Sequence, residues 1–206
     1  MPDPVIEAAE TAAPRAVIAL GVTGSIAAYK AADLVSRLTR AGIEVHVLMT
    51  EAAGRLVQPR TFLTLSRQPV ITSLWDTPDW QPGHIALAER TDLLVIAPAT
   101  ANILAKMAHG IADDALSTFA LSHAGPVLVA PAMNPRMWAH PAVRENCRIL
   151  GARGVAFVGP EEGRVACGAD GPGRMAAVET IFARVEGALA SGPNESAGRG
   201  SRRSSA

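Results

Sequence analysis

The sequence lacks an excess of either charge, a set of cysteines and any long apolar run. Its 19 basic residues balance 19 acidic ones, so no electrostatic case exists for a nucleic acid or an anionic membrane as partner. Two cysteines, Cys147 and Cys167, lie too far apart to suggest a disulfide framework or a metal cluster. His109, His123 and His140 show no metal-ligand spacing, and no metal is expected. No apolar stretch approaches the roughly 18 residues of a membrane span. The acidic start (Pro2, Asp3, Glu7, Glu10) lacks the basic and apolar regions of a signal peptide. The dinucleotide fingerprint G-x-G-x-x-G and the Walker loop are both missing. These absences leave a soluble cytoplasmic protein as the expectation.

What is present fits one domain. The chain has 206 residues, 49% of them hydrophobic, enough to bury a sizeable core. Residues 1–14 show no periodicity. The tail from 191 to 206 is almost free of apolar side chains and cannot repay ordering entropy. Both ends are expected to be disordered, with a folded unit over residues 15–190 and no internal repeat.

The run Leu93–Ala97 is apolar throughout and shows no alternation, as in a strand buried on both faces of a parallel sheet. Pro98 removes a backbone donor and is expected to stop the ladder. Thr100 and Asn102 then stand where a helix should begin. Ala16–Val22 and Ile43–Met49 are further strands around a helix from Ala27 to Gly42, a βαβ unit with a right-handed crossover. Short helices are expected over 51–57, 61–66 and 85–88, and a short strand over Pro69–Ile71. Beyond Asn102 follow a helix to His109, a helix capped by Asp113, a strand over Pro126–Ala130, and a helix begun by Pro141. A strand over Val155–Val158 precedes a glycine-rich stretch from Gly163 to Met175, which is expected to be an irregular flap with Cys167 accessible. An amphipathic helix over Ala176–Leu189 closes the domain.

Four polar clusters each follow the carboxyl end of an expected strand: Gly24/Ser25, Thr50, Thr100/Asn102 and Asn134. In open α/β sheets that rim is where ligands bind. Gly24 and Ser25 open a helix, where free amides and the dipole favour a phosphate; an ordinary βα turn capped by Ser25 accounts for them equally well. The second strand ends at Met49-Thr50 rather than at a carboxylate suited to a ribose, so a mononucleotide fits better than NAD. His84, after a Pro-Gly turn, is on its own an ordinary surface or capping residue.

Pro98-Ala99-Thr100-Ala101-Asn102 resembles the P-A-S-A-N-T motif of the homo-oligomeric flavin-containing cysteine decarboxylases. Pro131 to Trp138 resembles the P-x-M-N-x-x-M-W motif of the same family. The resemblance covers roughly residues 15–190 and departs from the first motif at Thr100 and Ile103. It implies an α/β, Rossmann-like three-layer fold with a central parallel, flavodoxin-like sheet. It further implies FMN held by Gly24, Ser25, Ile26, Thr50, Thr100, Asn102 and Ala132. His84 stands where the family keeps its active-site histidine. Asn134, Met137 and Arg174 are implied in substrate binding, and His84, Cys167 and Asn134 in catalysis.

Ala166-Cys167-Gly168 and Gly171-x-Gly173-Arg174-Met175 resemble the branch that acts on 4′-phosphopantothenoylcysteine in coenzyme A synthesis. An unactivated α-carboxyl beside an amide has no electron sink, and oxidising the neighbouring CH₂–SH to a thioaldehyde supplies one. By resemblance, FMN takes the hydride with His84 as base, CO₂ leaves to give an ene-thiol, and reduced FMN with a proton from Cys167 yields 4′-phosphopantetheine. The alternatives are an oxidative peptidyl-cysteine decarboxylase of ribosomal peptide modification and a non-catalytic regulatory flavoprotein. The family assembles as homotrimers, in larger forms as homododecamers, with FMN between subunits. In many bacteria it is fused to the phosphopantothenate–cysteine ligase that makes its substrate. That ligase half is missing here, so the chain is expected to be stand-alone or truncated, with the ligase as a partner.

Overall fold

The computed structural model describes residues 14–75, 83–164, 168 and 170–191, with 83–85 described for their backbone alone. The expectations for residues 1–13, for the tail after Ser191 and for Cys167 therefore lie outside the described residues. Five parallel strands form one sheet in the order β2-β1-β3-β4-β5. They are β1 (Ala16–Val22), β2 (Ile43–Met49), β3 (Leu93–Ala99), β4 (Val127–Pro131) and β5 (Ala156–Phe157). All seven residues of β3 are buried, as its unbroken apolar run requires when helices cover both faces.

Two apolar clusters sandwich the sheet. On one side α1 (Ala28–Arg40), α3 (Pro59–Ser66) and α9 (Val178–Ala190) pack Leu34, Leu38, Phe62, Ile181 and Val185 against Ile18, Leu20, Val45 and Val95. On the other, α4 (Gly83–Arg90), α5 (Ala101–His109), α6 (Ala115–Ser122) and α8 (Pro141–Ala152) bring Leu87, Leu104, Phe119 and Leu150 against Ala19, Leu94, Ile96 and Val129. The result is the expected three-layer α/β/α arrangement. Short helices α2 (Glu51–Gly54) and α7 (Pro135–Ala139) follow β2 and β4. Among the described residues, no helix is long and apolar enough to cross a membrane.

Several local expectations need correction. Pro98 does not end β3: the strand runs on to Ala99 through a cis Ala97–Pro98 peptide, and the ladder to β4 shifts register between Ile96 and Ala99. The irregularity absorbs the missing donor. The segment Pro69–Ile71 makes a single parallel bridge from Ile71 to Leu48 instead of a strand. Asp114, not Asp113, caps α6, because only Asp114 closes a capping box with Ser117.

The largest difference is the glycine-rich stretch, which forms an antiparallel hairpin of β6 (Glu161–Arg164) and β7 (Asp170–Arg174). It has little apolar alternation and no buried face of its own. Backbone docking described below holds it, and that docking is invisible to sequence periodicity.

Candidate functional site

A cavity of about 720 Å³ opens at the carboxyl edge of the sheet. Its walls come from the loops after β1, β3 and β4 and from the β6–β7 hairpin. In a parallel sheet of order 2-1-3-4-5, successive strands are added in opposite directions on the two sides of the β1/β3 boundary, and loops that part there leave a ligand crevice.

The two sides of that crevice are tied at their base by Thr23. Its hydroxyl is buried, donates to Pro98 O at 2.7 Å and accepts from Thr100 N at 3.1 Å. On the β3 side, Thr100 caps α5 by accepting from Ile103 N. On the β1 side, no side chain caps α1: its N-cap is Ala27, and Ser25 Oγ reaches Ala27 N only at 3.4 Å. Residues 24–27 line the cavity, so the uncapped start of a 13-residue helix faces it. Ser25 N already donates to Thr23 O and Ala28 N to Ser25 O, so it is the positive helix end that suits a phosphate there.

The third wall is the segment after β4. Ala132 N bonds Ala99 O at 3.0 Å, joining it to the β3 exit. Asn134 caps α7, its Oδ1 accepting from Arg136 N at 2.8 Å. Gly173 O accepts from Met133 N at 2.9 Å. A Cβ on Gly173 would sit 2.3 Å from Met133 O, so only glycine allows the hairpin this close.

Lys30, Arg164 and Arg174 line the cavity, and no carboxylate does among the described residues. Glu161 stands just behind. Its Oε1 accepts from Ala177 N at 2.9 Å, and its Oε2 accepts from Arg174 Nη2 at 3.0 Å. The Ala177 amide first, and the Arg174 guanidinium after it, hold the Glu161 carboxyl below its usual range despite partial burial.

Of the residues singled out in the sequence, Gly24, Ser25, Ile26, Thr100, Ala132, Asn134, Met137 and Arg174 meet in this cavity. Thr50 and Asn102 are not among its lining. Thr50 caps α2 by accepting from Ala53 N, and Asn102 lies in the first turn of α5. His84 lies in the first turn of α4 and its side chain is outside the described residues, as is Cys167. Met133, a pocket-wall candidate within the second motif, also lines the cavity, and sequence reading missed Thr23, Tyr29, Lys30 and Arg164. Tyr29 and Lys30 fall in the first turn of α1, and helical spacing from Ser25 could have found them.

Comparison with known proteins adds the following. The model of the family described as Flavoprotein matches residues 6–190. The bifunctional coenzyme A biosynthesis protein CoaBC of Bacillus subtilis is 46% identical over 172 residues, covering 82% of this chain and 42% of that protein. The chain thus spans about two fifths of that relative's length. A probable phosphopantothenoylcysteine decarboxylase of Streptococcus mutans is 43% identical over 82% of this chain and 96% of that protein. The crystal structure of SpaF, an FMN-dependent cysteine decarboxylase, superposes with a TM-score of 0.75 at 34% identity. It covers 86% of this chain and 99% of its own.

Proposed function

Since this chain belongs to the flavoprotein family, we propose that it is an FMN-dependent decarboxylase converting 4′-phosphopantothenoylcysteine to 4′-phosphopantetheine. One observation carries the reading: both cysteine-decarboxylase motifs converge on a single cavity at the β1/β3 switch point, beside the uncapped start of α1. Likeness across nearly all of the Streptococcus mutans decarboxylase supports the substrate.

The donor set fits a flavin mononucleotide. The positive start of α1 behind Gly24–Ala27 suits its single phosphate, and Thr100 and Ala132 line the same cavity. Bound there, FMN supplies a two-electron acceptor and donor, the sink that an unactivated α-carboxyl lacks.

The chain's own residues do the rest. His84 takes the proton as the substrate CH₂–SH is oxidised to a thioaldehyde. Asn134 holds the substrate carboxylate and amide at the mouth of α7 until CO₂ leaves. The ene-thiol then recovers the two electrons, and Cys167 returns the proton at carbon. Substrate and product differ by CO₂ alone, with no net redox change. Met137 and Arg174 close the substrate side.

The enzyme works as a homotrimer, or as trimers gathered in a dodecamer, with a second copy covering the open mouth. Ile26 is 61%, Tyr29 63% and Met137 48% exposed around that mouth, more apolar surface than a finished flavin pocket leaves to water. A phosphopantothenate–cysteine ligase supplies the substrate, as a further part of the protein or as a separate partner, and the reaction is placed in the cytoplasm.

The direct test is to incubate flavin-loaded protein with 4′-phosphopantothenoylcysteine. One CO₂ per substrate and 4′-phosphopantetheine as product are expected. No CO₂ release from flavin-loaded protein contradicts the proposal.

A further inference from the structure

The cavity must take two phosphates in the proposed reaction, one on the cofactor and one on the substrate. Its cations divide accordingly. Lys30 belongs to the first turn of α1, at the helix start that no side chain caps, while Arg164 and Arg174 belong to the β6–β7 hairpin. We propose that the hairpin is a phosphate-recognition arm: Arg174 and Arg164 receive the substrate's 4′-phosphate, and Glu161 is the positioning residue that aims Arg174. This rests on the function proposed above and names the part of the site that selects the substrate.

The geometry around Arg174 is built for aiming. Glu161 cannot swing freely, because Ala177 N fixes one carboxylate oxygen while the other takes Arg174 Nη2. Gly163 lies beneath the guanidinium at φ +140°, where a Cβ would come within 3.4 Å of Arg174 Cζ and Nη1. That distance is ordinary contact, and it is the backbone conformation, which residues with a side chain rarely adopt, that calls for glycine. The bond to Glu161 uses one of five guanidinium donors, and the planar fork keeps the others pointed in a fixed direction. Arg174 is 48% exposed and remains reachable. Backbone contact from Gly173 to Met133 then locks the arm beside Asn134, which holds the reacting end. A phosphate dianion with the fork is the strong, charge-assisted kind of contact. A peptide ending in cysteine offers no phosphate to this arm.

The test compares kcat/KM for 4′-phosphopantothenoylcysteine and for its dephosphorylated form in flavin-loaded wild type, Arg174→Met, Arg164→Met and Glu161→Gln. Arg148→Met, on α8 and paired with Glu145, controls for loss of a positive charge elsewhere. Arg174→Met should lower kcat/KM for the phosphorylated substrate about tenfold to a hundredfold, the range for losing a hydrogen bond to a charged group. The dephosphorylated form should change by less than about twofold. Glu161→Gln should give a smaller loss, seen in KM and not in kcat. Calorimetry gives a readout without turnover: the resting enzyme should bind 4′-phosphopantetheine more tightly than pantetheine, and Arg174→Met should erase that preference.

Equal loss on both substrates overturns the proposal. So does loss of FMN with discrimination intact, which would place the arginines on the cofactor. Should Arg174→Met not fold, unchanged discrimination in both Arg164→Met and Glu161→Gln overturns it. A wild type that decarboxylates neither form overturns the proposed function itself, and the arm's role falls with it.

Discussion

Thr23 shows how much one hydroxyl can decide. It links the exits of β1 and β3 by donating to Pro98 O and accepting from Thr100 N, and so sets the floor of the cavity. Thr23→Val keeps the shape but leaves both backbone groups without this partner. It should cost about 1–3 kcal/mol, read as a lower urea midpoint with unchanged slope. An unchanged midpoint would show that the tie does not hold the crevice. Cys167 allows a chemical test: Cys167→Ser should still oxidise and decarboxylate, then arrest at the ene-thiol. Normal 4′-phosphopantetheine output would remove Cys167 from the mechanism. Sequence revealed Asn134 and Thr100 because each follows a strand end within a motif. It did not reveal Thr23 or Arg164, whose roles depend on what lies opposite them in space. It also placed Thr50 and Asn102 with the cofactor; in the fold Thr50 caps α2 and Asn102 lies in the first turn of α5, both outside the cavity lining.

At the scale of the element, the β6–β7 hairpin departs most from what the sequence suggests. Glycine-rich and polar, its residues lack the alternation that marks a strand, and its order comes from a neighbour. Gly173→Ala places a Cβ against Met133 O, so the hairpin must move off the segment bearing Asn134. The expected result is faster proteolytic cleavage within residues 161–174 and a marked loss of turnover. Cleavage at the wild-type rate would contradict the docking.

The hairpin also carries a pH dependence. Glu161, held by Ala177 N and by Arg174, has its carboxyl below the usual range. A carboxyl lowered in the folded state adds stability above its unfolded value, about 4.3, and loses it as pH falls toward the lower folded value. Cleavage of the hairpin should therefore rise below about pH 4.3, and Glu161→Gln should flatten that rise. By contrast, β3 was legible from sequence because burial on both faces leaves one uninterrupted apolar run. Only its end was misjudged, since Pro98 is absorbed by a register shift.

At the scale of the molecule, the parallel α/β sheet was legible in five apolar runs separated by helical spacing, and the three-layer form was what the family resemblance implied. The assembly could not be read that way, because a surface awaiting a second copy looks in sequence like any scattered set of exposed apolar residues. Ile26, Tyr29 and Met137 around the cavity mouth support a trimer closing the site. Sedimentation should give a trimer or a multiple of one, and a fully active monomer would contradict it.

By the proposed function, this protein decarboxylates a phosphorylated small thiol and returns it fully reduced. The most direct measurement is a competition in which flavin-loaded protein meets equal amounts of 4′-phosphopantothenoylcysteine and a peptide ending in cysteine, with both followed by mass spectrometry. The small substrate should be consumed to the saturated thiol 4′-phosphopantetheine while the peptide persists. Consumption of the peptide to an enethiol, with the small substrate untouched, would contradict it.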